Sequence, residues 1–416
     1  MQSPRALWFA LTSLEPRVAL TLFFLVLVTF AVTLSMLLRR LGAPGGAILG
    51  GLIAGIILGP TLAGRFAPAW YERTVIGGFA EREELDRLTA THGMNRAARQ
   101  HFGMPAEQAA PLDVNERDLE MAQRERVAAA RWEHQTAARW FVAMVVGLLL
   151  LAAFARERPA GERPDWYQPV VTGLWAAALP GAIGLLFLRW WGLEGVMCLA
   201  AGSCLGAGAL LIPRSDLEIA DDAEPGGRRL MQSAAGVAFA AAAIVLGWAM
   251  VEHRGWSGLA GLWPVGLSVA AWVIGSGRPL PTTWADRGRW AAERLLTPAL
   301  AAMIAYRIEL FQHASIWIIV VLVLLSGDGR WCGAFIGAML ARARRALPTM
   351  RLVLASMAAG PTQVALTALA LHLGLVREPV ALGLLIGAMV MELTTPLRAA
   401  MASRAREVEE DQDESA

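Results

Sequence analysis

The segment LRRLGAPGGAILGGLIAGIILGPTLAG, Leu38 to Gly64, decides the fold class of this chain. Two arginines, Arg39 and Arg40, precede a run without a single charge, from Leu41 to Gly64. A helix of about twenty apolar residues is long enough to cross a hydrocarbon layer of roughly 30 Å. Glycines are frequent in this run, and membrane helices use glycine for close packing. The segment therefore predicts a membrane-spanning helix.

The same kind of apolar block recurs along the chain. Of its 416 residues, 56% are hydrophobic and only 17% are charged, which is typical of a polytopic membrane protein. We predict an all-α protein with about eleven transmembrane spans. In chain order, the spans are predicted at 18–38, 44–61, 138–155, 168–190, 194–213, 230–251, 257–276, 295–311, 315–342, 351–373 and 379–402.

The basic residues, all 37 of them arginine, predict the orientation of these spans. With eleven spans, nineteen arginines fall on one side, whereas the short segments of the other side hold six. Cytoplasmic loops carry an excess of basic residues. The asymmetry therefore predicts an N-terminus outside and a C-terminus inside, most simply in a bacterial inner membrane.

We divide the chain into four parts: the first two spans at 1–61, a charged helical insert at 62–137 outside the cytoplasm, a membrane core at 138–402 and an acidic cytoplasmic tail at 403–416. The insert reads as two charged helices around a Pro-containing break. It could be a solvated hairpin without a special function, a cap, a partner-binding hairpin or an oligomer contact.

The sequence contains none of the patterns that commonly mark an enzyme. Cys198, Cys204 and Cys332 lie in apolar segments, without the spacing of a metal site or a disulfide. There is no phosphate loop, catalytic triad or zinc signature. We therefore expect no enzymatic activity, no cofactor, no resident metal and no nucleic acid partner. The expected surroundings are membrane lipid.

Several segments together resemble a known family. Leu38–Gly64 is similar to the second helix of the cation:proton antiporter superfamily, in which a Pro after a short basic loop opens a Gly-rich helix ending in Gly-Pro. The later segments Gly266–Gly277, Leu296–Leu310, Gly327–Leu340 and Ala358–Leu397 resemble the last helices of that family, in the right order. The resemblance implies two inverted five-helix repeats, here spans two to six and seven to eleven, and a homodimer.

The resemblance also implies that two discontinuous helices cross near the centre of the membrane. Span five offers Gly202, Gly206 and Gly208, and span ten offers Gly360 and Pro361 followed by Thr362 and Gln363. These residues would free backbone groups that could face an ion. The alternative is ordinary Gly/Ala packing with a kink at Pro361.

One position departs from the family pattern. In such antiporters the helix after the first crossover carries a carboxylate that binds the cation and the proton in competition. Here that helix has Gln232 and Ser233 where the acid would stand, and it contains no acid. Because a hydroxyl does not titrate near neutral pH, another group would have to carry the proton.

Asp328 and Glu392 are the candidates for that group, because each falls near the middle of a predicted span. Arg330 occupies the place where the family commonly has a Lys or Arg before the second crossover. It could be purely structural, satisfying carbonyls of the crossover while Asp328 neutralises its charge. Alternatively, Asp328 or Glu392 is a relocated proton or cation ligand.

The expected function is secondary active transport, exchanging a monovalent cation, Na⁺ or K⁺, for protons. The alternative is a transport-inactive relative of the antiporters that acts as a sensor, scaffold or partner-binding membrane protein. The missing acid favours the alternative, whereas charges buried in the membrane favour transport.

Overall fold

The computed structural model describes residues 16–154, 167–193, 287–310, 315–341 and 360–401, apart from 289 and 399, and a few positions between 195 and 205. Within these residues the chain is helical and contains no strand. The predicted all-α class is therefore confirmed.

The helices are bounded as follows: α1 Pro16–Arg40, α2 Gly46–Leu58, α3 Ala63–Phe66, α4 Pro68–Tyr71, α5 Phe79–His101, α6 Ala106–Phe154, α7 Tyr167–Trp190, α8 Thr297–Ala305, α9 Ile316–Leu324, α10 Arg330–Ala341, α11 Gly360–His372 and α12 Glu378–Leu393. Wider π-helical turns precede α5, α8 and α10, at Glu72–Ile76, Ala292–Leu296 and Leu325–Gly329.

Three helical segments are long and apolar enough to cross a membrane: Val18–Arg40, Gly46–Phe66 and Ile316–Leu340. They coincide with the predicted spans one, two and nine. The predicted spans at 230–251 and 257–276, and most of the span at 194–213, lie outside the described residues. The count of eleven and the inverted repeats thus stay predictions.

The chain forms two compact units. One contains Ala63–Ala138 and the chain up to Val26, and the other contains Leu27–Leu62 and Arg139–Ala416. The core of the second unit includes α8 and α11, in which every residue is buried. Helices that are apolar all round are expected in such interiors rather than at a polar surface. Helix α11 packs against α8 and α12.

Glycines at four-residue intervals bring helices of the second unit into backbone contact. On α10, a Cβ added to Gly337 would lie 2.7 Å from Thr172 Cα of α7, and one added to Gly333 would lie 2.9 Å from Trp175 C. On α2, a Cβ at Gly55 would lie 2.6 Å from the carbonyl oxygen of Ala302 in α8. Such spacing of small residues is the usual device for close packing of membrane helices.

In the first unit, α5 and the first part of α6 form a charged helical hairpin, and the loop 102–105 falls at the predicted Pro-containing break. The guanidinium of Arg99 donates to both carboxylate oxygens of Glu116, at 3.0 and 2.7 Å, and to Asp113 at 2.7 Å. Near them, His92 Nδ1 lies 2.9 Å from Glu120 Oε1. The end of the hairpin next to the loop therefore neutralises its own charges.

This charge cluster predicts an acid sensitivity of the hairpin. The hydrogen bond from Arg99 lowers the pKa of Glu116 from its ordinary value of 4.5 to about 2. A carboxyl whose pKa is lower in the folded state stabilises that state above its unfolded pKa, and this stabilisation is lost as the pH falls towards the folded pKa. We therefore expect pepsin to cleave within 79–137 much faster at pH 2 than at pH 4.

The Glu116→Gln variant tests this, because glutamine does not titrate. Its cleavage at pH 4 should already be fast, and its ratio of rates between pH 2 and pH 4 should be smaller than in the wild type. Glu107→Gln near the start of α6 is the matched control, and it should retain the wild-type ratio. Equal ratios in Glu116→Gln and the wild type would contradict the prediction.

Candidate functional site

The side chain of Arg330 is completely buried at the start of α10, with 0% of the residue exposed. Its Nη2 donates to the backbone carbonyl of Leu205 at 3.0 Å and to Oε1 of Gln363 at 2.6 Å. Leu205 belongs to predicted span five, and Gln363 to predicted span ten. One guanidinium group thus joins the two segments in which the sequence predicts the crossover.

Gln363 extends this network to two further elements. Its Nε2 donates to Ser326 Oγ at 3.1 Å, in the π-helical turn before α10, and to the carbonyl of Leu384 in α12 at 2.8 Å. The amide oxygen therefore accepts from Arg330, while the amide nitrogen donates twice. This arrangement also fixes the orientation of the amide, because only an oxygen can accept the guanidinium donor.

The Arg330 guanidinium is not fully satisfied. Within the part of the chain that the structure describes, its Nε and Nη1 atoms have no hydrogen-bond partner. Burying a charged group without partners costs several kcal/mol or more. Such a group in a membrane core usually indicates a functional or strongly structural role.

Asp328 is not a partner of Arg330. It is exposed, whereas Arg330 is buried, and no ion pair of Asp328 is found among the described residues. Residues two apart on a helix point in nearly opposite directions, at about 200° on an ideal helix. The π-helical turn Leu325–Gly329 contains Asp328 and does not bring the two side chains together.

Glu392, in contrast, is buried near the end of α12, with 8% of the residue exposed. Its carboxyl group lies directly against the backbone of α11 at Gly360. A Cβ added to Gly360 would lie 2.6 Å from Glu392 Cγ and 2.9 Å from Cδ. Gly360 therefore makes the space that the buried carboxyl group occupies.

A turn at Thr394 interrupts the helix two residues after Glu392. Helix α12 ends at Leu393, and helical structure resumes at Thr395. Pro396 has no N–H and so cannot donate to the carbonyl four residues earlier, that of Glu392. The preceding carbonyl, that of Met391, accepts from the hydroxyls of Thr394 and Thr395 and from Arg398 Nη2, the last at 2.8 Å.

The remaining predicted site residues divide into two groups. Thr362 and Pro361 are buried in α11, and a Cβ on Gly202 would lie 2.8 Å from the carbonyl of Gly181 in α7. The other four, Gly206, Gly208, Gln232 and Ser233, lie outside the described residues. The described residues contain no group of three or more His, Cys, Asp or Glu that could hold a metal ion.

Sequence reasoning missed two features of this region. Arg398 is one of the nineteen arginines counted on the cytoplasmic side, but the residue is only 8% exposed and donates to Met391 and Thr395. Sequence reasoning also did not identify His372, which is buried at the end of α11 with Nε2 lying 3.2 Å from Tyr306 Oη. For Arg398, the available signal in the sequence was Thr395 next to Pro396.

No protein-family model matches this chain, and a search of curated proteins finds no match either. The function is therefore argued from the contacts above.

The network predicts a large effect of replacing Gln363. In Gln363→Leu, Arg330 loses its shortest acceptor, and Ser326 and the Leu384 carbonyl lose a donor. Unsatisfied buried polar groups cost about 1–3 kcal/mol each, and more when charged. We expect the free energy of unfolding to fall by about 2–4 kcal/mol, measured by denaturation in detergent.

Thr367, one turn further along α11, provides the matched control. It is fully buried, and its hydroxyl has no partner among the described residues. Thr367→Val should therefore change the stability by less than about 1 kcal/mol. Equal losses in the two variants would show that buried volume, and not the hydrogen-bond network, determines the result.

Proposed function

We propose that this chain is a secondary active transporter with the fold of the cation:proton antiporters. It exchanges Na⁺ or K⁺ for protons across a bacterial inner membrane, as a homodimer with its N-terminus outside and its C-terminus inside. The observation that carries the proposal is the buried carboxyl group of Glu392, which lies against Gly360 in predicted span ten.

Glu392 takes the role that the missing acid at Gln232 and Ser233 leaves open. A carboxylate oxygen is a suitable ligand for a monovalent cation, and the same oxygen accepts a proton. One buried carboxyl group can therefore bind either ion, but not both at once. Asp328 fits this role less well, because its side chain is exposed among the described residues.

Arg330 has a different role in the proposal. Arginine keeps its charge at any accessible pH, so it cannot release the proton that is exchanged. Its bonds to Leu205 and Gln363 instead hold the two predicted crossover segments together. In this role Arg330 is a positioning residue for the crossover.

The packing of α7 against α10 supports the proposed inverted repeats. These helices are spans four and nine of the predicted topology, the third helix of each five-helix unit. Equivalent helices of two inverted repeats meet at the pseudo-two-fold axis that relates them. The contact of Gly333 and Gly337 with the backbone of α7 agrees with such an axis.

The experiment is cation-driven proton flux in proteoliposomes that contain a pH-sensitive dye. The wild-type protein should restore the dye signal when Na⁺ or K⁺ is added outside, and vesicles without protein should not. Folded protein must be confirmed in the same preparation. A wild-type signal equal to that of empty vesicles under both cations would reject transport and favour the sensor or scaffold alternative.

A further inference from the structure

A groove of about 650 Å³ runs between α5 and α6 in the first unit. Its apolar lining includes Leu85, Val127 and Ala128, and three arginines, Arg82, Arg124 and Arg131, also line it. The only acid among the lining residues is Asp86. The groove therefore has an excess of positive charge beside an apolar surface.

The arginines of the hairpin differ in whether they have partners. Near the loop, Arg99 is bound by Glu116 and Asp113, and in the groove Arg82 pairs with Glu72 and lies 4.0 Å from Asp86. Arg124 and Arg131 have no hydrogen-bond or ion-pair partner within the described part of the chain, and the Nε atom of Arg131 is buried. The two arginines that line the groove from α6 are thus available to an anion.

Arg124 and Arg131 are seven residues apart on α6, so they lie on the same face, two turns or about 10 Å from each other. Acidic side chains are common in the hairpin, yet within the described residues none forms an ion pair with either of them. Two cations aligned along an apolar groove suit a ligand that combines negative oxygens with an apolar part.

The sequence position of the groove indicates which ligand that is. Helix α6 continues without interruption to Phe154, and its segment 138–155 is a predicted membrane span. Arg131 precedes that span by seven residues, or about 10 Å along the helix. Trp132, which also lines the groove, is a residue type enriched at the membrane–water interface. Arg131 and Trp132 are thus expected near the depth of the lipid headgroups, and Arg124 lies about 10 Å further from the membrane along the helix.

We propose that this groove binds the phosphate of an anionic phospholipid headgroup through Arg124 and Arg131. Arginine binds phosphate oxygens with two parallel hydrogen bonds, and basic residues near a membrane surface attract anionic lipid. The apolar lining and Trp132 contact the glycerol and the first carbons of the acyl chains. The inference does not depend on transport, only on the insertion of α6 into a membrane.

Native mass spectrometry of the full chain in a neutral detergent tests this proposal. Phosphatidylglycerol, phosphatidylcholine and inorganic phosphate are added separately, at equal ionic strength, and the fraction of protein that retains each is measured. The wild type should retain phosphatidylglycerol preferentially. In the double variant Arg124→Gln/Arg131→Gln, the apparent affinity for phosphatidylglycerol should fall roughly 10- to 30-fold.

The matched control is Arg87→Gln/Arg117→Gln, which removes the same charge from exposed positions of the same helices outside the groove. It should retain the wild-type affinity, and circular dichroism should be the same for all variants. Equal loss in both double variants, or equal retention of phosphatidylcholine and phosphatidylglycerol by the wild type, would overturn the proposal. Retention of inorganic phosphate as tight as that of phosphatidylglycerol would show a free-phosphate site, and would also overturn it.

Discussion

Replacing Glu392 with glutamine is expected to reduce cation-driven proton flux to the level of empty vesicles. The variant keeps the shape of the side chain in the space beside Gly360, but the amide neither titrates nor provides a negative charge for the cation. The protein should still elute as a single species, because the burial of an amide requires no counter-charge. Flux measured with the dye assay, under both Na⁺ and K⁺ gradients, tests the prediction.

Two variants accompany it as controls. Asp328→Asn removes the other predicted candidate, which is exposed, and it should retain most of the wild-type flux. Glu378→Gln removes a carboxylate from the first turn of the same helix, α12, and should also retain flux. Wild-type flux in Glu392→Gln, or loss of flux in Asp328→Asn alone, would contradict the assignment of the carrier to Glu392.

A second large effect is expected from Gly333→Val on α10. Its Cβ would lie 2.9 Å from Trp175 C and 3.1 Å from Ala176 Cα. These neighbours are backbone atoms of α7, so no rotation of a side chain can relieve the overlap. Overpacking of this kind costs typically 1–3 kcal/mol even in cores that can adjust, and the two methyl groups of valine enlarge the overlap. We expect little or no monodisperse protein by size-exclusion chromatography.

Gly93→Val in α5 is the control for that variant. An added Cβ at Gly93 meets nothing within 4 Å, and the residue is exposed. The expected yield and elution are those of the wild type. Normal yield and thermal stability in Gly333→Val would mean that α7 and α10 do not pack as closely as described.

The helical class and several spans could be predicted because hydropathy acts over whole segments. The apolar runs at 18–38, 44–61 and 315–342 each correspond to a described helix that is long and apolar enough to span. Gly51 and Gly55 could likewise be suspected of close packing from their spacing. The helix that these glycines contact could not be predicted, since the sequence gives no distances between segments.

The site was less predictable, for reasons that particular residues illustrate. Asp328 and Glu392 looked alike in sequence, each an acid in an apolar run, but one is exposed and the other buried. The burial of each depends on which neighbours pack on which face, and the π-helical turn at Leu325–Gly329 alters the spacing by which faces are assigned. Arg398 was counted with the arginines of the cytoplasmic side, because the positive-inside rule does not detect an arginine that turns inward and donates to Met391.

For the charged insert, too, part of the structure could be predicted from the sequence and part could not. Its helical character follows from composition, and the break around Met104 and Pro105 was visible in the sequence. The pairing of Arg99 with Glu116, and the lack of a partner for Arg124 and Arg131 among the described residues, depend on the register of α5 against α6. That register is a tertiary property, and it separates a self-neutralised end of the hairpin from a groove that can take an anion.

The most direct test of the central claim is proton release on cation binding. Purified protein in a weakly buffered detergent solution is mixed with Na⁺ or K⁺ at a series of pH values, and a pH dye reports the change. If one buried carboxyl group binds the cation and the proton in competition, the wild type releases protons in proportion to the protein present, and Glu392→Gln releases none. A wild type that releases no protons with either cation, at any pH between about 5 and 9, would contradict the account.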